Sequence, residues 1–189
     1  MSKTGKTGNV RFPNKFDSDS LENFNDYLKW CVGESTDELS KGKKSRLPKI
    51  YFAGPWFDTR ANELYNSCYK ICKIFKNNYD IYFPREEPSN DTPKDAFMNN
   101  VAHIRNSDII IAMVSRKDVG TAWEIGMAYA LNKEIYLLGY DETTFLSHTN
   151  VMLAFTGKCF TLNKLGKFLN NDMKPKDFVT IENVWEGIE

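Results

Sequence analysis

Read for the spacing of apolar and polar positions, the chain changes character near residue 47. Residues 1–47 are polar and rich in Lys, Ser, Gly and Asn, with one amphipathic stretch, Asp19 to Cys31, that predicts a helix. The basic run Lys41 to Arg46 reads as a solvated linker. Beyond it, short apolar runs alternate with stretches in which apolar residues recur every three or four positions. Lys49–Ala53, Tyr79–Phe83, Asp108–Val114 and Glu134–Leu138 have strand length and composition. Between them, Arg60–Asn77 sets Leu64, Cys68, Ile71, Cys72 and Phe75 on one helical face, with Asp58 or Thr59 as N-cap. Asp95–Asn106 and Thr121–Leu131 read as further helices. A later apolar segment, Val151–Phe155, precedes a last strand at Phe160–Leu162 and a helix at Asn163–Leu169. Strict alternation of β and α, with right-handed crossovers, predicts an α/β fold: a parallel sheet with helices on both faces.

A chain of 189 residues suits one domain with an appendage, here 48–189 preceded by the polar extension 1–47. Lys+Arg and Asp+Glu both total 25, so no basic excess points to nucleic acid, and a small neutral or weakly charged ligand fits better. No apolar run approaches the roughly 20 residues that span a bilayer, and the N-terminus lacks the apolar core of a signal peptide. A cytoplasmic protein with no membrane partner is expected. Cysteines 31, 68, 72 and 159, with only His103 and His148 beside them, give no zinc spacing, so no metal is expected. Cys68 and Cys72 read as reduced, buried core residues.

The segment Asp118-Val-Gly-Thr-Ala-Trp-Glu124 carries the most chemistry, because it sets two carboxylates six residues apart across a strand-to-helix turn. Glu124 is expected in a first helical turn, where open parallel sheets place ligands. There the helix N-terminus would help keep it ionised. Thr121 to Glu124 also fits a capping box, in which Glu only closes the helix end. Asp118, before Gly120, can likewise be an ordinary turn residue. After the first strand, Gly54-Pro-Trp-Phe57 has one glycine where a dinucleotide turn needs three, so no nicotinamide or other cofactor is expected. Trp56 and Phe57 offer aromatic walls for a planar heterocycle, or they belong to the core. The breaker-rich loop from Pro84 to Pro93 has the length of a functional loop.

Three blocks, Ile50–Phe57, Asn106–Leu131 and Ser147–Met152, make the chain resemble the nucleoside 2-deoxyribosyltransferases over roughly Lys49 to Asn150. The resemblance implies a flavodoxin-like (Rossmann-like) fold and transfer of 2-deoxyribose between bases through a covalent glycosyl-enzyme. It implies Glu124 as nucleophile, Tyr51 as the residue that orients it, and Asp118 in contact with the base. Gly54, Trp56, Phe57, Asn100 and Gly120 would line the substrate. Asn150 and Met152 would reach the sugar 5-hydroxyl from a neighbouring subunit, which makes the protein a homo-oligomer whose partners are nucleosides and free bases. Asn150 alone also reads as a turn residue. The family's usual Asp matches Asn100 here, which cannot supply a proton and alternatively is a solvated helix residue. Protonation of the leaving base then falls to Asp118, to Glu86 or Glu87, or to water. The tail resembles the family's end, which gives the Glu189 carboxylate a candidate role.

Two other readings compete with base exchange. One is a hydrolase of the same superfamily that cleaves deoxynucleoside 5-monophosphates; Pro55 to Phe57 and Asn150 favour an unphosphorylated sugar instead. The other is a nucleotide-sensing domain that kept the fold without the chemistry, motivated by Asn100 and the extension.

Overall fold

The computed structural model describes residues 46–87, 92–114, 117–148 and 150–180. The stretch Asp19–Cys31, the basic run before Arg46 and the terminal Glu189 lie outside the described residues. Five strands, β1 (Lys49–Ala53), β2 (Asp80–Tyr82), β3 (Ile109–Met113), β4 (Glu134–Gly139) and β5 (Lys158–Thr161), alternate with helices. These are α1 (Thr59–Ile74), α2 (Pro93–Asn106), α3 (Val119–Ala130), α4 (Thr143–His148), α5 (Val151–Ala154) and α6 (Leu165–Leu169). All strand pairs are parallel, in the order β2-β1-β3-β4-β5. That is the flavodoxin-like order, with its switch point at the carboxyl ends of β1 and β3.

Strand alternation distributes the core between two layers. Ile50, Phe52, Ile111, Met113, Leu138 and Phe160 pack against α1 and α6 through Leu64, Cys68, Cys72, Leu165 and Leu169. Tyr51, Ala53, Ile110, Ala112, Ile135 and Leu137 face α2, α3 and α5 through Ile104, Ile125, Ala128 and Ala154. Cys68, Cys72 and Cys159 are buried free thiols. The expectation of helices on both faces therefore holds.

Several boundaries differ from the sequence expectation, each for a local reason. α1 starts at Thr59 because the Asp58 carboxylate accepts from the Ala61 amide, and it ends at Ile74, before an Asn-containing turn. α2 starts two residues early, at Pro93, since Thr92 caps it and proline suits the first helical position. Val151–Phe155 yields a single helical turn, α5, and β5 begins at Lys158 instead of Phe160.

Gly54 follows β1 at the switch point. A Cβ there would lie 2.9 Å from Met113 Cβ and 2.2 Å from its Cε, so the ends of β1 and β3 approach too closely for a side chain.

Candidate active site

α3 delivers the two carboxylates, but not with the expected capping. Asp118 is the N-cap, and its Oδ2 accepts from the Thr121 amide at 2.7 Å and from the Thr121 hydroxyl at 2.8 Å. Thr121 is therefore already inside the helix, and Glu124 lies in the second turn, not the first. The capping-box alternative for Thr121 and Glu124 is overturned, because Asp118 holds the Thr121 hydroxyl that such a box would use. Gly120 is the second helical residue, and a Cβ there would come to 3.2 Å from Asp118 Oδ2.

Tyr51, fully buried at the centre of β1, donates its hydroxyl proton to Glu124 Oε1 at 2.6 Å. Oε2 has no hydrogen bond among the described residues. Burial pushes the Glu124 carboxyl up to about 7, opposed by the Tyr51 hydrogen bond and aided by the charge of Asp118. Burial first, and Glu124 second, hold the Tyr51 phenol far above its ordinary range, so it remains a donor. The expected ionising effect of the helix N-terminus thus gives way to desolvation, since the dipole acts mainly within the first turn.

Trp56 is partly buried and packs edge-on against Tyr65, so it serves the core as well as the surface. Phe57 is 77% exposed beside it. Asn100, on α2, accepts from the Tyr82 hydroxyl at 3.4 Å. Asn150 caps α5 by accepting from the Met152 amide at 2.8 Å, and the Met152 side chain is exposed. Among the described residues, no hydrogen bond joins Asn150 or Met152 to Glu124 or Tyr51. Glu86 lies in a single 3-10 turn, Pro84–Glu86, where Arg85 faces it. The Glu87 charge bears on Tyr82 and His103.

Two neighbours of the site escaped the sequence reading. Tyr82 stacks on Tyr51, with ring centroids 5.5 Å apart, and His103 stacks on Tyr82 at 3.5 Å. A local motif contains neither. The parallel register that pairs Tyr51 with Tyr82 is the signal that links them.

A hollow of about 430 Å³ opens at the amino ends of β1 and β2, lined by Arg46, Lys49, Lys76 and Asp80. Arg46 pairs with Asp108 and Lys49 with Asp80, and the hollow is remote from the end of the sheet at which α3 begins. Among the described residues, no group of three or more His, Cys, Asp or Glu could hold a metal ion, and no helix is long and apolar enough to cross a membrane.

The sequence pattern of the family described as nucleoside 2-deoxyribosyltransferase matches residues 50–183. Among solved structures, the chain is similar to a conserved protein of Enterococcus faecalis V583, 21% identical with TM-score 0.56, over 68% of this chain and all of that one. It is also similar to the 2-deoxyribosyltransferase of Bacillus psychrosaccharolyticus, 22% identical with TM-score 0.53, over 67% of this chain and 98% of that one. A third similar structure is the CMP N-glycosidase of Clostridium botulinum, 18% identical with TM-score 0.46, over 65% of this chain and 95% of that one. The first two likenesses speak to the fold. Comparison with curated protein sequences finds no match.

Proposed function

From the premise that this chain belongs to the nucleoside 2-deoxyribosyltransferase family, we propose that it exchanges purine or pyrimidine bases on 2-deoxyribose by double displacement at Glu124. The observation that carries this reading is the 2.6 Å hydrogen bond from Tyr51 to Glu124 Oε1, which orients the carboxylate and leaves Oε2 without a hydrogen bond among the described residues. In the first half-reaction a Glu124 oxygen bonds to C1′. The glycosidic C–N bond breaks, and the base departs with its electron pair and a proton that Asp118 takes up from solvent and passes on. In the second, the incoming base gives its N–H proton back to Asp118. Its nitrogen bonds to C1′, and the C–O bond to Glu124 breaks. Two inversions leave the anomeric configuration retained.

Asp118 spends Oδ2 on capping and keeps Oδ1 for the base. Asn100 is confined to donating or accepting hydrogen bonds. Phe57 and the outer face of Trp56 give the heterocycle a stacking surface.

The working form in this proposal is a homo-oligomer, with Asn150 and Met152 completing the site of the neighbouring copy. Supporting it, α3 carries no charged residue besides Glu124 and exposes Val119 (84%), Trp123 and Tyr129, while Met152 and Phe155, on and beside α5, are exposed as well. A helix apolar on every side is normally covered.

The test is to incubate the protein with deoxyinosine, with and without adenine, and separate the products. Deoxyadenosine formed only with adenine supports exchange. Free deoxyribose without a new nucleoside, or no turnover of any purine or pyrimidine deoxynucleoside, overturns it.

A further inference from the structure

Outside the residues assigned to chemistry, the described chain contains one continuous run of near-parallel rings, and it ends on the group that holds Glu124. Tyr51 and Tyr82 are register partners on adjacent parallel strands, so both side chains project toward α2. Their rings stack at 5.5 Å with an interplanar angle of 23°. The outer side of Tyr82 is covered by the His103 imidazole at 3.5 Å and 13°. Asn100, one turn earlier on α2, accepts from the Tyr82 hydroxyl at 3.4 Å and fixes the ring's far end. β2 is an edge strand of three residues, and Tyr82 is its last. Without a ring on its outer side, Tyr82, at the end of such a strand, would keep ring packing only on the face toward Tyr51.

We propose that Tyr82 and His103 are positioning residues, a two-ring brace that keeps the Tyr51 phenol on Glu124. Neither touches the reacting atoms. Tyr51 is a long side chain, and its hydroxyl stays on Glu124 only while packing keeps the ring from swinging about χ1. The strand register supplies the inner contact of the brace and α2 the outer one. Through this brace, α2 governs the ionisation of a carboxylate on α3. The charged and titratable groups that face the assembly are Asp118 beside Glu124, Glu87 beside Tyr82, and Glu87, Lys49 and Asp80 beside His103.

The inference rests on Glu124 as the nucleophile, so its test needs a readout independent of turnover. The Glu124 side-chain carboxyl is titrated by carbon NMR in the folded protein, and the pH dependence of kcat/KM is measured in parallel. A loosened Tyr51 donates a weaker hydrogen bond, and that bond favours the ionised form. His103→Ala and Tyr82→Ala are therefore expected to raise the Glu124 pKa by about half a unit or more. kcat should fall and KM should change little. His103→Phe, which keeps a ring and removes the ionisable nitrogen, should restore most of the shift. Tyr82→Phe, which keeps the stack, should move the titration less than Tyr82→Ala. An unchanged Glu124 titration in folded His103→Ala, with only a lower Tm, would overturn the brace and leave plain packing. A brace seen by NMR in a protein without base exchange would refute the proposed activity alone.

Discussion

Glu124 and Asp177 are both carboxylates withdrawn from water, and the fold treats them in opposite ways. Asp177 is 6% exposed and fully partnered: Lys164 at 3.0 Å and Lys167 at 3.3 Å bond Oδ1, and the Lys174 amide bonds Oδ2 at 3.1 Å. These donors, Lys164 foremost, hold its carboxyl well below the usual range. The bonds pin the segment after α6, and the Val179 amide then bonds the Cys159 carbonyl on the outer edge of β5 at 2.8 Å. Among the described residues Glu124 has one neutral donor, no paired cation and an acidic neighbour in Asp118, and its carboxyl rises to about 7. A buried acid supplied with cations stabilises the folded chain. One deprived of them keeps its reactivity and opposes folding when ionised.

The sharpest way to break this contrast is Glu124→Gln. Base exchange should fall by roughly a thousandfold or more in kcat, because the amide cannot form the glycosyl ester. The same change should stabilise the protein in alkali. A raised folded pKa favours folding below the unfolded value, here the ordinary 4.5, and the benefit is lost as pH rises through about 7. Above pH 8 the variant should therefore exceed the parent by on the order of 3 kcal/mol, and the gap should close below pH 4.5. Urea melts across that range measure it, and a gap that stays constant with pH would refute the assignment. In the parent, kcat/KM should rise as one proton leaves, reaching half its plateau near pH 7.

Tyr51→Phe removes the phenol donor and so raises the Glu124 pKa further. It should lower kcat/KM about 10- to 100-fold, the worth of a hydrogen bond to a charged group, and move the pH profile to the alkaline side. Asp177→Asn should act on stability alone. A depressed pKa stabilises above the unfolded value, ordinarily 3.8, and that stabilisation is lost as pH falls through the folded value. The variant's Tm should lie below the parent's at pH 7, and the two should converge in acid below about 4, read by calorimetry. Activity per folded molecule should not change. The smallest effect expected is that of Lys164→Met, which leaves Lys167 and the Lys174 amide in place. It should cost less Tm at pH 7 than Asp177→Asn, and an equal cost would mean that Lys164 alone satisfies the acid.

The strands were the most legible part of the sequence, β1 to the residue, because a sheet covered on both faces needs continuous apolar runs such as Ile109–Met113. α1 was legible from the spacing of Leu64, Cys68 and Cys72, all of which are buried. The start of α3 was misread because Asp118 and Thr121 are both competent caps, and sequence alone does not say which carboxylate or hydroxyl reaches an open amide. Tyr51 and Glu124, which the family resemblance pairs, meet across a separation of 73 residues. Neither Tyr82 nor His103 was legible as a neighbour of the site. Their positions depend on strand register and on where α2 crosses the sheet, and an isolated Tyr and an exposed His have no spacing that discloses either.

Because Asp118 caps the helix that bears Glu124, the two acids are graduations on one rigid rule. Six residues of α-helix set their Cα atoms about 9 Å apart along the axis, and the lean of helical side chains toward the N-terminus brings the Glu124 carboxylate back toward Asp118. Movement of the loops after β1 and β2 leaves that interval untouched. Insertions or exchanges in those loops, made to admit bulkier heterocycles, would reshape the walls around a fixed gauge. Asp118→Asn keeps the cap, and hence the gauge, while removing one charge from it.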